Sequence, residues 1–330
     1  MDHPMGAELI SVSIGVIAYN EEANIAEILN ALLQQRTQRV VIAEIVVVSS
    51  GSTDRTDDIV RAFSQRFPLV RLIAEPSREG KASAVNTFMA AATADILVLC
   101  SADTIPDSDA VELLCRPFED PTVGITGARP VPTNEPSTFA GTHAHILYQL
   151  RHEVSLEALK TGEVLAFRRV IPFLPSHSSV DEDWIHIAIE RLGLRGMYVP
   201  AARCFNHGPE TVGEIVRQRA RLVAGEIALV REYEWTCPTM RTGRILRLLL
   251  KQLRGRPLRT WPRILAVAPL EAYIRLKAWR LLLTTGEDFR WELAATSKRV
   301  VRDHHSVEVV PASNRAKSLD SVPARLGTPD

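Results

Sequence analysis

Three polar clusters in this 330-residue chain combine side chains and spacing suited to chemistry. Asp103 ends an apolar run in the context LVLCSADTIPD. A carboxylate there either caps a turn or binds a hard cation, with Mg²⁺ or Mn²⁺ bridging it to a diphosphate. Asp181, Glu182 and Asp183 are consecutive. Adjacent carboxylates repel, and burial would raise one pKa and make a general base. In water the same triplet simply favours a helix start. Gln218 and Arg221, three residues apart on a helix, share one face, with Arg219 beside them. Guanidinium forks there suit a diphosphate, and a solvated basic face is the plainer alternative.

These residues need a frame to bring them together. The run Ile10–Ala18 is rich in β-branched residues and reads as a strand, as do 44–48, 70–74 and 95–100. Between them lie helical patterns: Ile25, Ile28, Leu29, Leu32 and Leu33; then Ile59, Ala62 and Phe63; then the Ala-rich stretch 81–92. Continuous apolar strands separated by helices predict a parallel sheet covered on both faces. Ligands of such sheets sit beyond the strands' carboxyl ends. The polar clusters 19–22, 49–54 and 101–103 all fall there and should converge. Residues 129–142, with three prolines, read as a long loop, and a helix begins at about Thr211.

Composition limits the function classes. Hydrophobic residues make up 46% and charged residues 24%, values of a globular protein. Lys+Arg and Asp+Glu are both 39, so no bulk positive charge favours nucleic acid. A mean hydropathy of zero argues against a polytopic membrane protein. Cys100, Cys115, Cys204 and Cys237 have no CxxC spacing, and a reducing cytosol is expected. The N-terminus lacks the pattern of a secretion signal.

Five motifs in order resemble glycosyltransferase family 2, the inverting nucleotide-sugar transferases of GT-A fold. They are VIAYNEEANI, EIVVVSSGSTDRT, REGKASAVN, ILVLCSADTIPDSDA, and the pair SVDEDW and HGPET…QRARL. The likeness runs from about Ser11 to Val230, with fragments to about Lys298. It implies an α/β fold with a mixed, mainly parallel sheet flanked by helices, and a basic helical C-terminal extension. The implied domains are a catalytic domain over 1–235, divided near 128, an extension over 236–306 and a disordered tail over 307–330.

The resemblance also implies roles. Ala18, Tyr19, Asn20 and Glu21 would line the nucleotide pocket, with Ser50 near the base and Ala102 beside Asp103. Lys81 would lie near ribose or phosphates. Asp103 would bind Mg²⁺ or Mn²⁺, with His207 as a second ligand. Gln218, Arg219 and Arg221 would hold the donor diphosphate or the acceptor. The acidic triplet would deprotonate an acceptor hydroxyl on a glycan, a lipid-linked molecule or a small molecule. The family places a Gly eleven residues after the base and apolar residues three, five and seven after it. Counting back from Gly193 selects Glu182, with Ile185, Ile187 and Ile189 in place; the letters Glu-Asp select Asp183 instead.

The chain also departs from the family. Ser49-Ser50 replaces the usual Asp-Asp that reads the base, Ser101 replaces the first Asp of DxD, and Leu222 replaces the Trp of QxxRW. Leu222 favours a single addition over polymerisation. The serines leave open a silent nucleotide-sugar-binding module. A nucleotidyltransferase would need a Gly-rich loop after the first strand, and 19–22 contain no Gly.

Residues 241–263 hold eight Arg/Lys and no acid. Arg244, Arg247, Lys251 and Arg254 fall on one helical face, opposite Leu246, Leu249, Leu250 and Leu253. Such a helix suits an anionic membrane surface, so a cytoplasmic protein, peripheral on the inner membrane face through 241–280, is expected. Four charges make 264–283 a poor transmembrane helix.

Overall fold

The computed structural model describes residues 8–175, 180–235, 237–240, 242–254 and 258–284. The expected tail over 307–330, and the end of the extension before it, lie outside the described residues.

The chain runs β1 (Ile10–Ala18), α1 (Ile25–Leu33), β2 (Val40–Ser50), α2 (Thr56–Arg66), β3 (Val70–Glu75), α3 (Lys81–Ala91), β4 (Ile96–Ser101), β5 (Thr104–Pro106) and α4 (Ala110–Cys115). It continues through β6 (Val123–Pro132), α5 (Phe139–Ser155), β7 (Val164–Arg168), α6 (Asp181–Arg191), β8 (Arg195–Asn206), α7 (Val212–Tyr233), α8 (Thr242–Arg254) and α9 (Trp261–Thr284). The sheet order is β3-β2-β1-β4-β7-β6-β8-β5. β1 pairs in parallel with β2 and β4, and β2 with β3. β7 joins β4 and β6 antiparallel, β6 runs parallel to β8, and β5 pairs antiparallel with β8. The sheet is mixed, as expected.

Alternation along each strand feeds two cores. Ile45, Val47, Val98 and Cys100 join Val12, Ile14 and Val16 in one, against Ile25, Ile28, Leu29 and Leu32 of α1 and Val60 of α2. Val46, Val48, Leu97 and Leu99 face the other, against Val85 and Phe88 of α3 and Ile185 and Ile189 of α6. Both faces being covered is why these strands read as unbroken apolar runs.

The loop expected over 129–142 is shorter. Arg129–Pro132 extend β6 along β8. β7 pairs only with Ile125, Thr126 and Gly127, so Pro130 and Pro132 face no β7 partner needing an N–H. α5 starts at Phe139, where Thr138 Oγ1 accepts from the Gly141 N–H at 2.9 Å.

Beyond the sheet, α7, α8 and α9 pack with α5. Ile215, Val223 and Ile227 of α7 meet Ile274 and Ala278 of α9. Leu248 and Leu253 of α8 meet Ile146, Leu150 and Val154 of α5 and Val267 of α9. The α8 cations are not all on a free face: Arg244 pairs with Glu157 at 2.6 Å and Lys251 with Glu153 at 3.2 Å. Arg247 and Arg254 remain exposed. No described helix is long and apolar enough to cross a membrane.

Candidate active site

The carboxyl ends of β1, β2 and β4 open into a cavity of about 1480 Å³. Ala18, Tyr19, Glu21, Ser50, Lys81, Ala102 and Asp103 line it from the sheet side. Glu182, Asp183, His207, Gln218, Arg219 and Arg221 line it from the other. Asn20 and Asp181 do not. Asn20 takes a left-handed φ of 52° and shapes the corner. Its N–H donates to Ser52 Oγ at 3.0 Å, and its side-chain oxygen accepts from the Thr53 N–H at 2.8 Å.

The turn after β2 is held close to the next motif. Gly51 has φ +65°, and a Cβ there would lie 2.7 Å from the Arg78 backbone nitrogen. That approach requires glycine. Ser50, at 4% exposure, carries a buried hydroxyl with no hydrogen-bond partner among the described residues. Buried polar atoms are normally satisfied, so this hydroxyl is open to a water or a ligand. The Arg78 guanidinium stacks 4.1 Å above the Tyr19 ring.

α6 begins with the acidic triplet, where the helix dipole favours negative charge. Each carboxylate meets a different environment. Glu182 contacts the Lys81 ammonium, which also stands 3.7 Å from Asp181. Burial opposes the charge on Lys81, but Glu182, Asp181 and Asp103 outweigh it and hold its pKa above the ordinary value. Burial likewise opposes ionisation of Glu182, and Lys81 reverses the balance, leaving its pKa lowered. Asp181 is pushed up to about 7 by burial, only partly offset by Lys81 and Arg221. Asp183 contacts the Lys160 ammonium and accepts from Thr161 Oγ1 at 3.0 Å. Burial leaves its pKa raised. Its side chain is 1% exposed, whereas that of Glu182 is 20% exposed.

Two candidate cation sites differ in fit. Asp103 follows β4, and its Oδ1 accepts from Thr104 Oγ1 at 3.3 Å. His207 follows β8, with Nδ1 3.1 Å from Thr133 Oγ1 and Nε2 3.0 Å from Glu210. Asp103 and His207 line the same cavity, and a carboxylate with an imidazole would suit Mg²⁺ or Mn²⁺ as protein donors, supplying positive charge to a diphosphate. Asp183, Glu226 and Cys237 also cluster within 4.8 Å. They do not fit a cation, because Lys160 already bridges Asp183 and Glu226, the latter at 3.1 Å. Burial pushes the Cys237 thiol up to about 12, so it stays protonated.

Arg219 is committed to structure. It donates to Glu271 of α9 at 3.2 Å, and His143 of α5 meets the same carboxylate at 3.0 Å. Burial opposes the Glu271 charge, yet Arg219 and His143 hold its pKa down at about 2. Sequence reading missed Lys160, Glu226, His143 and Glu271, which lack local motifs. Arg78 lies inside the motif REGKASAVN, where no spacing singles it out.

Residues 13–168 match the family model described as glycosyl transferase family 2, and 96–286 match glycosyl transferase family group 2. A poly-β-1,6-N-acetyl-D-glucosamine synthase of Staphylococcus aureus (strain COL) is 27% identical over 247 residues, covering 71% of this chain. The chain spans 59% of that relative's length. A probable glycosyltransferase of Bacillus subtilis (strain 168) is 36% identical over 110 residues, 32% of this chain and 26% of the relative. A mannosyltransferase from Pyrobaculum calidifontis, solved with GDP-Man and Mn²⁺, superposes with a TM-score of 0.59 at 22% identity. That match covers 83% of this chain and 87% of the other.

Proposed function

The chain belongs to glycosyltransferase family 2, and we propose that it moves a hexosyl group from a nucleoside-diphosphate donor to an acceptor hydroxyl with inversion. The observation that carries this reading is the position of Lys81. Its ammonium contacts Glu182, stands 3.7 Å from Asp181 and feels the charge of Asp103, joining the donor end of the cavity to its acidic end.

The nucleoside lies against Tyr19 and the unsatisfied Ser50 hydroxyl. A divalent cation held by Asp103, with His207 as second protein donor, neutralises charge on the diphosphate when bound. Lys81 and Arg221 supply positive charge to the departing diphosphate. Glu182 takes the acceptor proton, because it alone of the triplet both lines the cavity and keeps a fifth of its side chain exposed. Drawing Lys81 toward the diphosphate removes the cation that keeps Glu182 a weak base. Donor binding thereby arms the base. Asp183 positions the helix start through Lys160 and Thr161 rather than taking the proton.

Leu222 supports one addition per acceptor. It lines the cavity and packs with Val180, Ile187 and Leu229. The protein works at an anionic membrane surface, which the exposed cations Arg247, Arg254 and Arg280 would face. The anomeric configuration of the product tests the mechanism: inversion is expected, and a retained anomer rules out the single displacement.

A further inference from the structure

The cavity is larger than a donor needs. Pockets for one small ligand typically hold ~300–1,000 Å³, against about 1480 Å³ here. Part of the lining is apolar: Leu150 of α5, Ile245 and Leu249 of α8 and Val267 of α9 belong to one apolar cluster, and Leu147 and Ala268 line the cavity as well. One cation stands among them. Arg275 of α9 lines the cavity and, among the described residues, makes no ion pair.

The outer side of α9 is also apolar. Leu265, Tyr273, Leu276, Trp279 and Leu283 are each at least 45% exposed. At 3.6 residues per turn they occupy an arc of about 120°. Ala268 and Ala272, which line the cavity and are themselves exposed, lie at the edge of that arc. The apolar lining of the cavity therefore borders a face suited to lipid, with Tyr and Trp of the kind that favours membrane interfaces.

We propose that the acceptor is a lipid-borne molecule with an anionic headgroup. Its chain lies between α5, α8 and α9, its charge meets Arg275, and its hydroxyl reaches Glu182. This inference rests on the transferase reading and names its acceptor class.

Calorimetric titration of the full chain tests it, with dodecyl phosphate below its micelle concentration, inorganic phosphate, and a nucleoside diphosphate with Mn²⁺ as separate probes. Dodecyl phosphate should bind at least about tenfold more tightly than inorganic phosphate. Arg275→Gln should weaken it about tenfold, and Ala268→Trp, which fills the cavity from an exposed position, should abolish it. Leu276→Asp, outside the cavity, should leave it unchanged. Thermal melts confirm that each variant folds. Equal affinity for the two phosphates, or wild-type binding by both Arg275→Gln and Ala268→Trp, would overturn the proposal. Loss in Leu276→Asp with retention in Ala268→Trp would also overturn it, since the chain would then merely adhere to the outer face. The nucleotide titration reads the transferase proposal separately: binding there with none to dodecyl phosphate removes only the acceptor class.

Discussion

In the proposed reaction, Lys81 couples the acidic triplet to the donor, since its ammonium contacts Glu182 and stands 3.7 Å from Asp181. Its ammonium holds Glu182 ionised against burial. Removing it by Lys81→Met lets burial raise the Glu182 pKa, so the base ionises only at higher pH. The acid limb of the kcat/KM profile should therefore move to higher pH, and an unmoved limb contradicts the assignment. Glu182→Gln should lower kcat by about 10² or more while leaving donor KM within a few-fold. Asp183→Asn should act on stability instead, because Lys160 would keep only Glu226 as a partner. Breaking a buried pair costs about 3–5 kcal/mol, visible as a lowered melting temperature. Wild-type melting, or a larger kcat loss than in Glu182→Gln, would move the base to Asp183. That Asp103, Arg221 and the pair Glu182 and Asp183 share one cavity was legible in the sequence because motif order singles them out, with the choice within the pair left open. Lys160 and Glu226 were not, because each acquires its partner only when α6 and α7 meet.

At the scale of elements, α9 is tied to the site through its own charge. Glu271 binds Arg219, the neighbour of Gln218 and of the Arg221 face. Its folded pKa of about 2 lies below the unfolded value near 4.5. The stabilisation is therefore present above pH 4.5 and lost as pH falls toward 2, on the order of 3 kcal/mol. Glu271→Gln should lower the melting temperature at neutral pH and flatten its fall in acid; an unchanged acid limb would show that the pair contributes nothing. The four parallel strands and their helices were legible because burial on both faces writes long apolar runs. The β6 extension was not, since Pro130 and Pro132 read as loop until the absence of a β7 partner beside them is known. The basic pattern of α8 was legible, but its pairing with Glu153 and Glu157 depends on packing against α5.

On the scale of the whole molecule, the strand ends and apolar side chains of α5, α8 and α9 line one cavity, and α9 also carries an exposed apolar face. The exposed apolar face of α9, which includes Arg280, together with the exposed Arg247 and Arg254 of α8 should seat on anionic bilayers, each cation adding about 1 kcal/mol. Full-length protein should float with phosphatidylglycerol vesicles and not with phosphatidylcholine vesicles, less so at high salt. Leu265→Asp with Leu276→Asp should reduce flotation about tenfold without changing the melting temperature, and equal flotation contradicts docking through α9. In the proposed function the cavity binds and activates a nucleotide sugar through Asp103. This is tested most directly by incubating the protein with a panel of nucleotide sugars and Mn²⁺ or Mg²⁺ and measuring released nucleoside diphosphate. Metal-dependent release from one donor is expected, reduced at least about 100-fold in Asp103→Ala. Release that is indifferent to metal and to Asp103, or silence with every donor together with no thermal shift, would contradict it.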